Sequence, residues 1–155
     1  MEYQVSAIGI IHTGHATKEE TPIQGAFQPE AMGMVELFPE FAAGLKDIVL
    51  FSHIILIYHF NRAGEVELIR KPFLDDAPHG IFATRHPCRP NGIGISIVRL
   101  LGHEENLLKV CGIDVLDGTP LLDIKPYVSR FDSYPEATEG WFAGKENREK
   151  PPGRE

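Results

Sequence analysis

The densest run of side chains able to do chemistry is Phe82-Ala83-Thr84-Arg85-His86-Pro87-Cys88-Arg89-Pro90-Asn91-Gly92-Ile93-Gly94-Ile95-Ser96. Two prolines and two glycines make it a stiff, irregular connection, and Arg85, His86, Arg89 and Asn91 hang from it. A guanidinium fork matches planar oxyanions, so the arginines suit a carboxylate or a phosphate. The same types also suit a solvated surface loop, and residue chemistry leaves both readings open. Asp117-Gly118-Thr119-Pro120 reads as a hairpin turn, or as a loop whose backbone and Thr119 hydroxyl line a polar ligand. Asp123, Lys125 and Tyr127 follow at alternate positions, a polar face at the end of an apolar strand. His53 sits in the most apolar stretch and reads as a core histidine or a base. His53 and His59 on one strand would stand about 20 Å apart, too far to share a metal ion, so no metal site is expected. A full GxGxxG, a P-loop, GxSxG and HExxH are all missing.

The elements that must position these residues are mostly strands. Tyr3–Ile11, Met32–Leu37, Ile48–Phe60, Val66–Arg70, Gly80–Arg85, Ile93–Leu101, Leu107–Ile113 and Leu121–Ile124 have the β-branched content and length of strands. Ile48–Phe60 reads as one long, bent, largely buried strand, and Pro72–His79 as a loop. Pro39-Glu40-Phe41-Ala42-Ala43-Gly44 reads as a helical turn. So many short strands with one or two short helices exclude βαβ units. The expected fold is mainly β: a compact antiparallel β-barrel or sandwich, not a Rossmann domain. One domain over residues 1–142 is expected, with Trp141-Phe142 anchoring back onto it. Residues 143–155 read as a charged, flexible tail.

Composition narrows the class. The 155 residues are 43% hydrophobic and 24% charged, with 15 Gly and 12 Pro, ordinary for a globular protein rich in turns. The formal charge of −7 argues against a protein that coats nucleic acid. Residues 60–100 nevertheless carry six Arg or Lys and four acids, a basic segment on an acidic body and compatible with a short RNA target. Two cysteines, Cys88 and Cys111, form no disulfide framework and read as reduced thiols. No apolar run is long enough for a membrane helix, and the N-terminus lacks a signal peptide's cationic region. A cytoplasmic protein is expected.

Several segments, in order, carry a family likeness. They are Ile8–Thr13, Pro22-Ile23-Gln24, Gly33–Leu37, Leu45 with Phe51-Ser52-His53, Phe82–Arg85 through Arg89-Pro90-Asn91 and Ile93-Gly94, and Asp117–Pro120 with Asp123–Tyr127. The chain resembles the TsaA-like (TrmO) family of S-adenosylmethionine-dependent tRNA methyltransferases. These methylate N6 of N6-threonylcarbamoyladenosine beside the anticodon. The resemblance implies a β-barrel homodimer with S-adenosyl-L-methionine near the subunit interface. It implies cofactor contacts at Gln24, Asn61, Arg62, Arg85, Ile95, Leu116, Asp117, Gly118, Thr119 and Pro120. For the methyl acceptor we expect Arg85 or Arg89 to grip the threonyl carboxylate, and His53 and Tyr127 to handle or orient the proton. Three departures stand out: Ile23 replaces a common arginine, Gly92 replaces a common proline and should loosen the loop, and a further C-terminal domain of many bacterial members is missing. A non-catalytic RNA- or nucleotide-binding barrel, or a methyltransferase with another acceptor, remains the alternative.

Overall fold

The computed structural model describes residues 1–16 and 30–145. Six strands close a barrel: β1 (Gly9–Thr13), β2 (Met32–Leu37), β3 (His53–His59), β6 (Ile93–Glu104), β7 (Leu107–Cys111) and β8 (Thr119–Pro126). Round the barrel the order is β1-β2-β7-β6-β3-β8, and every pairing is antiparallel. Closure leaves no free sheet edge. A two-stranded ribbon, β4 (Ile69–Arg70) and β5 (His79–Gly80), stands apart from it. The expected antiparallel barrel is thus the one observed.

Period-two alternation fills the interior. Ile11, Val35, Leu37, Ile54, Leu56, Val98, Leu108, Val110 and Leu121 point inward and are buried. Burying each large aliphatic side chain contributes about 1.5–3 kcal/mol. At Gly9, in the β1–β2 pairing, an added Cβ would overlap the Glu36 carbonyl and stand 2.9 Å from Leu37 Cα. The first six residues of β6 invert the usual pattern. Gly94, Ser96 and Val98 face inward, while Ile93, Ile95 and Ile97 face outward and remain nearly half exposed. The first half of β6 pairs with β3 and the second with β7, and the register slips between Leu100 and Gly102 where it changes partner.

The element ends differ from the sequence reading in several places. Met32–Leu37 is observed as expected, and Pro39–Leu45 is a 3₁₀ helix with proline at its start. The first strand begins only at Gly9. Ile48–Phe60 is not one strand: Ile48–Leu50 is a 3₁₀ turn after Asp47, which takes the left-handed φ of 67°. Val49 and Leu50 are exposed, so apolar content there did not mean burial. Val66–Arg70 and Gly80–Arg85 shrink to the ribbon and to a 3₁₀ turn at Ile81–Ala83. β-branched residues were enough to suggest strands there, but β4 and β5 pair only with each other.

The connection between β3 and β6 buries Phe73, Leu74, Ile81 and Cys88. Trp141 ties the C-terminal segment to this connection. Its Nε1 donates to the Ala83 carbonyl at 2.8 Å, and its ring stacks on His79 with centroids 4.6 Å apart. The expected anchor is therefore present. Lys145 continues it through a 2.7 Å pair with Asp75, and residues 146–155 of the expected tail lie outside the described residues.

Candidate active site

One end of the barrel, the mouth, collects the loops that carry the polar motifs. β1 and β3 end there, and β6 and β8 begin there, because Ile11 pairs with Thr119, His59 with Ile93 and Tyr58 with Leu121. The loop before β8 is built by backbone bonds. Gly118 N donates to Ile11 O at 2.9 Å, and Asp117 N donates to His15 O at 2.9 Å. Thr119 Oγ1 donates to Leu116 O at 2.6 Å, and the Asp117 carboxylate accepts Thr13 N at 3.0 Å. Gly118 takes φ +80°, and nothing lies within 4 Å of where a Cβ would stand. The Arg62 guanidinium donates to the Asp117 carbonyl, which joins the end of β3 to this loop.

The arginine loop is more constrained than its composition implies. Gly92 takes φ +56° and its N–H donates to Arg89 O at 3.1 Å. Proline could adopt neither the angle nor the bond, so Gly92 tightens the turn here instead of loosening it. Arg89 Nη1 donates to Thr84 O at 2.9 Å and to His86 O at 3.4 Å. Half of its fork therefore holds the loop's own carbonyls. Arg85 is exposed on the same loop.

Beneath the mouth lies a polar chain in the apolar core. Ser96 Oγ donates to Asp114 Oδ1, so the Tyr58 hydroxyl, 2.9 Å from Ser96 Oγ, donates to Ser96. Burial pushes the Tyr58 phenol well above its ordinary range, and the Asp114 charge pushes it further. The phenol stays neutral at physiological pH and is no proton acceptor. Gly94 makes room for it: an added Cβ would overlap the Tyr58 ring and come within 2.7 Å of Phe60 Cζ.

The structure brings together Asn61, Arg62 and Leu116–Pro120, and puts Arg85 close enough for its charge to act on Tyr58. Ile95 stands on the outer wall of β6, paired with Ile57 of β3. Gln24 and Ile23 lie outside the described residues. His53 and Tyr127 meet each other, with ring centroids 6.3 Å apart, but at the far end of β3 and β8 from the mouth. Six strand steps separate His53 from His59, about 20 Å. Among the described residues no three His, Cys, Asp or Glu gather as a metal site. Sequence reasoning passed over Tyr58, Ser96 and Asp114. Their signal was a serine at an inward position of a strand whose isoleucines all face out.

Residues 10–133 match the family model of the tRNA-methyltransferase O N-terminal domain. A Pyrococcus abyssi protein named "Probable S-adenosyl-L-methionine-binding protein" is 53% identical over 87% of this chain and 73% of its own length. A Mus musculus "tRNA (adenine(37)-N6)-methyltransferase" is 40% identical over 54% of this chain and 20% of its own. The crystal structure of TrmO from Pseudomonas aeruginosa superposes with a TM-score of 0.76 at 40% identity, over 91% of this chain and 63% of that one. The chain thus spans less than two thirds of the solved TrmO chain. Sequence match and overall fold agree, and the chain belongs to the family of tRNA-methyltransferase O N-terminal domains.

Proposed function

We propose that this protein is an S-adenosyl-L-methionine-dependent methyltransferase acting on N6 of adenine 37 of tRNA, in its threonylcarbamoyl form. The observation that carries the reading is the Arg62–Asp117 junction, which gathers two cofactor segments of the family likeness at one barrel mouth. The residues fit the cofactor's chemistry. Arg62 and the Asp117 carboxylate offer opposite charges to a zwitterionic amino-acid end, and Leu116, Pro120 and the open face of Gly118 offer an apolar wall. When bound, the cofactor supplies an electrophilic methyl group on a sulfonium.

The chain's own contribution is binding and positioning, which can supply most of the rate enhancement in such a displacement. Asn61, Arg62 and Leu116–Pro120 hold one substrate at the mouth. Arg85, exposed beside it, takes the carboxylate of the acceptor base, and Arg89 keeps the loop in shape through Thr84 O and His86 O. His53 and Tyr127, at the far end, take no part in this scheme. The protein works as a cytoplasmic homodimer joined through the outer face of β3 and β6. There Ile95 and Ile97 lie exposed across from Ile57 and Ile55, and Ile93 lies exposed across from His59.

Titration calorimetry with S-adenosylmethionine and with its demethylated product tests the cofactor site. Micromolar binding is expected for the wild type and about tenfold weaker binding for Arg62→Ala. Methyl incorporation into tRNA, with and without the threonylcarbamoyl group, tests the acceptor. Absence of cofactor binding with modified tRNA present would overturn the enzymatic reading.

A further inference from the structure

Phe82 is the residue that the cofactor site leaves unused. It is 75% exposed, between Ile81 and Thr84, which are both buried. Exposure here does not come from a loose chain. The 3₁₀ turn that presents Phe82 is fixed at both ends: Ile81 N donates to Leu68 O at 2.9 Å, and Thr84 Oγ1 donates back to Ile81 O at 2.8 Å. Trp141 Nε1 holds the Ala83 carbonyl from outside at 2.8 Å. Trp141 is itself held, stacked on a His79 that pairs with Asp75 at 2.8 Å.

A rigid, solvent-facing aromatic ring has a cation fixed against it. The Arg89 guanidinium carbon is 5.9 Å from the Phe82 ring centroid, and its Nη1 bonds to Thr84 O and His86 O keep it there. Arg85 is exposed three residues from Phe82 on the same loop. Leu68 and Ile69, both exposed, extend the apolar surface through the Ile81–Leu68 bond. An exposed aromatic ring with one guanidinium over it and a second arginine exposed on the same loop suits an unpaired nucleobase, whose ring stacks while the attached phosphate meets a cation. A protein partner would have to bring a carboxylate to each arginine as well as an apolar surface, whereas every nucleotide carries both a ring and an anion.

We propose that Phe82, with Arg89 beside it, is a stacking platform for an unpaired loop base of the RNA substrate, next to the base that enters the mouth. The proposal deepens the tRNA methyltransferase reading and rests on it. Rigid presentation lowers the ordering cost on the protein side, so the ring itself should carry a measurable share of RNA affinity.

The test uses a tRNA anticodon stem-loop carrying 2-aminopurine at one loop purine at a time, with the full chain. Wild type should quench the fluorophore at one loop position. Phe82→Ala should lose that quenching and bind about tenfold or more weakly, whereas Phe82→Trp should keep both within about threefold. Cofactor affinity and molar mass should be the same in all three proteins. Equal RNA affinity and quenching in Phe82→Ala would overturn the platform, as would a parallel loss of cofactor binding or of the oligomer. Methyl transfer read on the same samples separates the two readings. Phe82-dependent RNA binding without methylation would retain the platform and remove the enzyme, while methylation with unchanged Phe82→Ala kinetics would do the reverse.

Discussion

At the scale of single residues, the polar chain from Tyr58 through Ser96 to Asp114 is the costliest feature to disturb. Each member is satisfied by the next, in a core otherwise apolar. Ser96→Ala removes the middle partner and leaves a phenol and a carboxylate without it. Thermal or denaturant unfolding should read a loss of about 1–3 kcal/mol, larger than for Tyr58→Phe, which removes only the terminal donor. The phenol's raised pKa has a separate signature. Tyr58→Phe should leave the phenolate absorbance that develops up to about pH 11 unchanged, because Tyr58 stays protonated there while folded. Arg85, Arg89 and the Asp117–Pro120 loop were legible as candidates because their motifs are dense and local, although the same types also read as a solvated loop and a hairpin turn. Asp114 was not legible, because nothing local distinguishes a carboxylate in a turn from one that closes a buried chain.

Elements hold these residues through close approach and through straps. On β6, Gly94→Ala should destabilise by about 1–3 kcal/mol, since the new methyl must displace the Tyr58 and Phe60 rings, themselves packed edge to face. Equilibrium unfolding checks it, and the same substitution at Gly102, where nothing lies within 4 Å of an added Cβ, is the control for β6. The C-terminal strap should respond to acid. The Lys145 ammonium, then His79 and the Asp76 N–H, bond the Asp75 carboxylate and hold its pKa well below the usual carboxylate range. The folded strap therefore binds fewer protons than the unfolded one below about pH 4. Its stabilisation is present above that pH and is lost as pH falls. The emission of the single tryptophan, Trp141, should shift on acidification through that window, and Asp75→Asn should shift it already at neutral pH. Strand existence along the barrel was legible from period and β-branching. The ends of Tyr3–Ile11 and Ile48–Phe60 were not, because apolar residues such as Val49 and Leu50 are exposed on a turn.

At the scale of the whole molecule, the proposed dimer seam is the inverted face of β6. Ile97→Asp places a charge on the exposed isoleucine stripe opposite Ile55, while leaving the inward Val98 and Ser96 untouched. The variant should fold and sediment as a monomer where the wild type sediments as a dimer, and a monomeric wild type would overturn the interface.

By itself, the sequence determined a mainly β class, the family and two candidate loops, because alternation, turn residues and dense local motifs are short-range properties. Only the tertiary structure decided which loops meet. Barrel closure brings the end of β3 to the start of β8, so Arg62 reaches Asp117 across 55 residues. The same closure sends His53 and Tyr127, close to those motifs in sequence or in parity, to the other end. It also turned Phe82 outward on a braced turn, which no local pattern specifies, because the bracing Trp141 lies 58 residues from the carbonyl it holds.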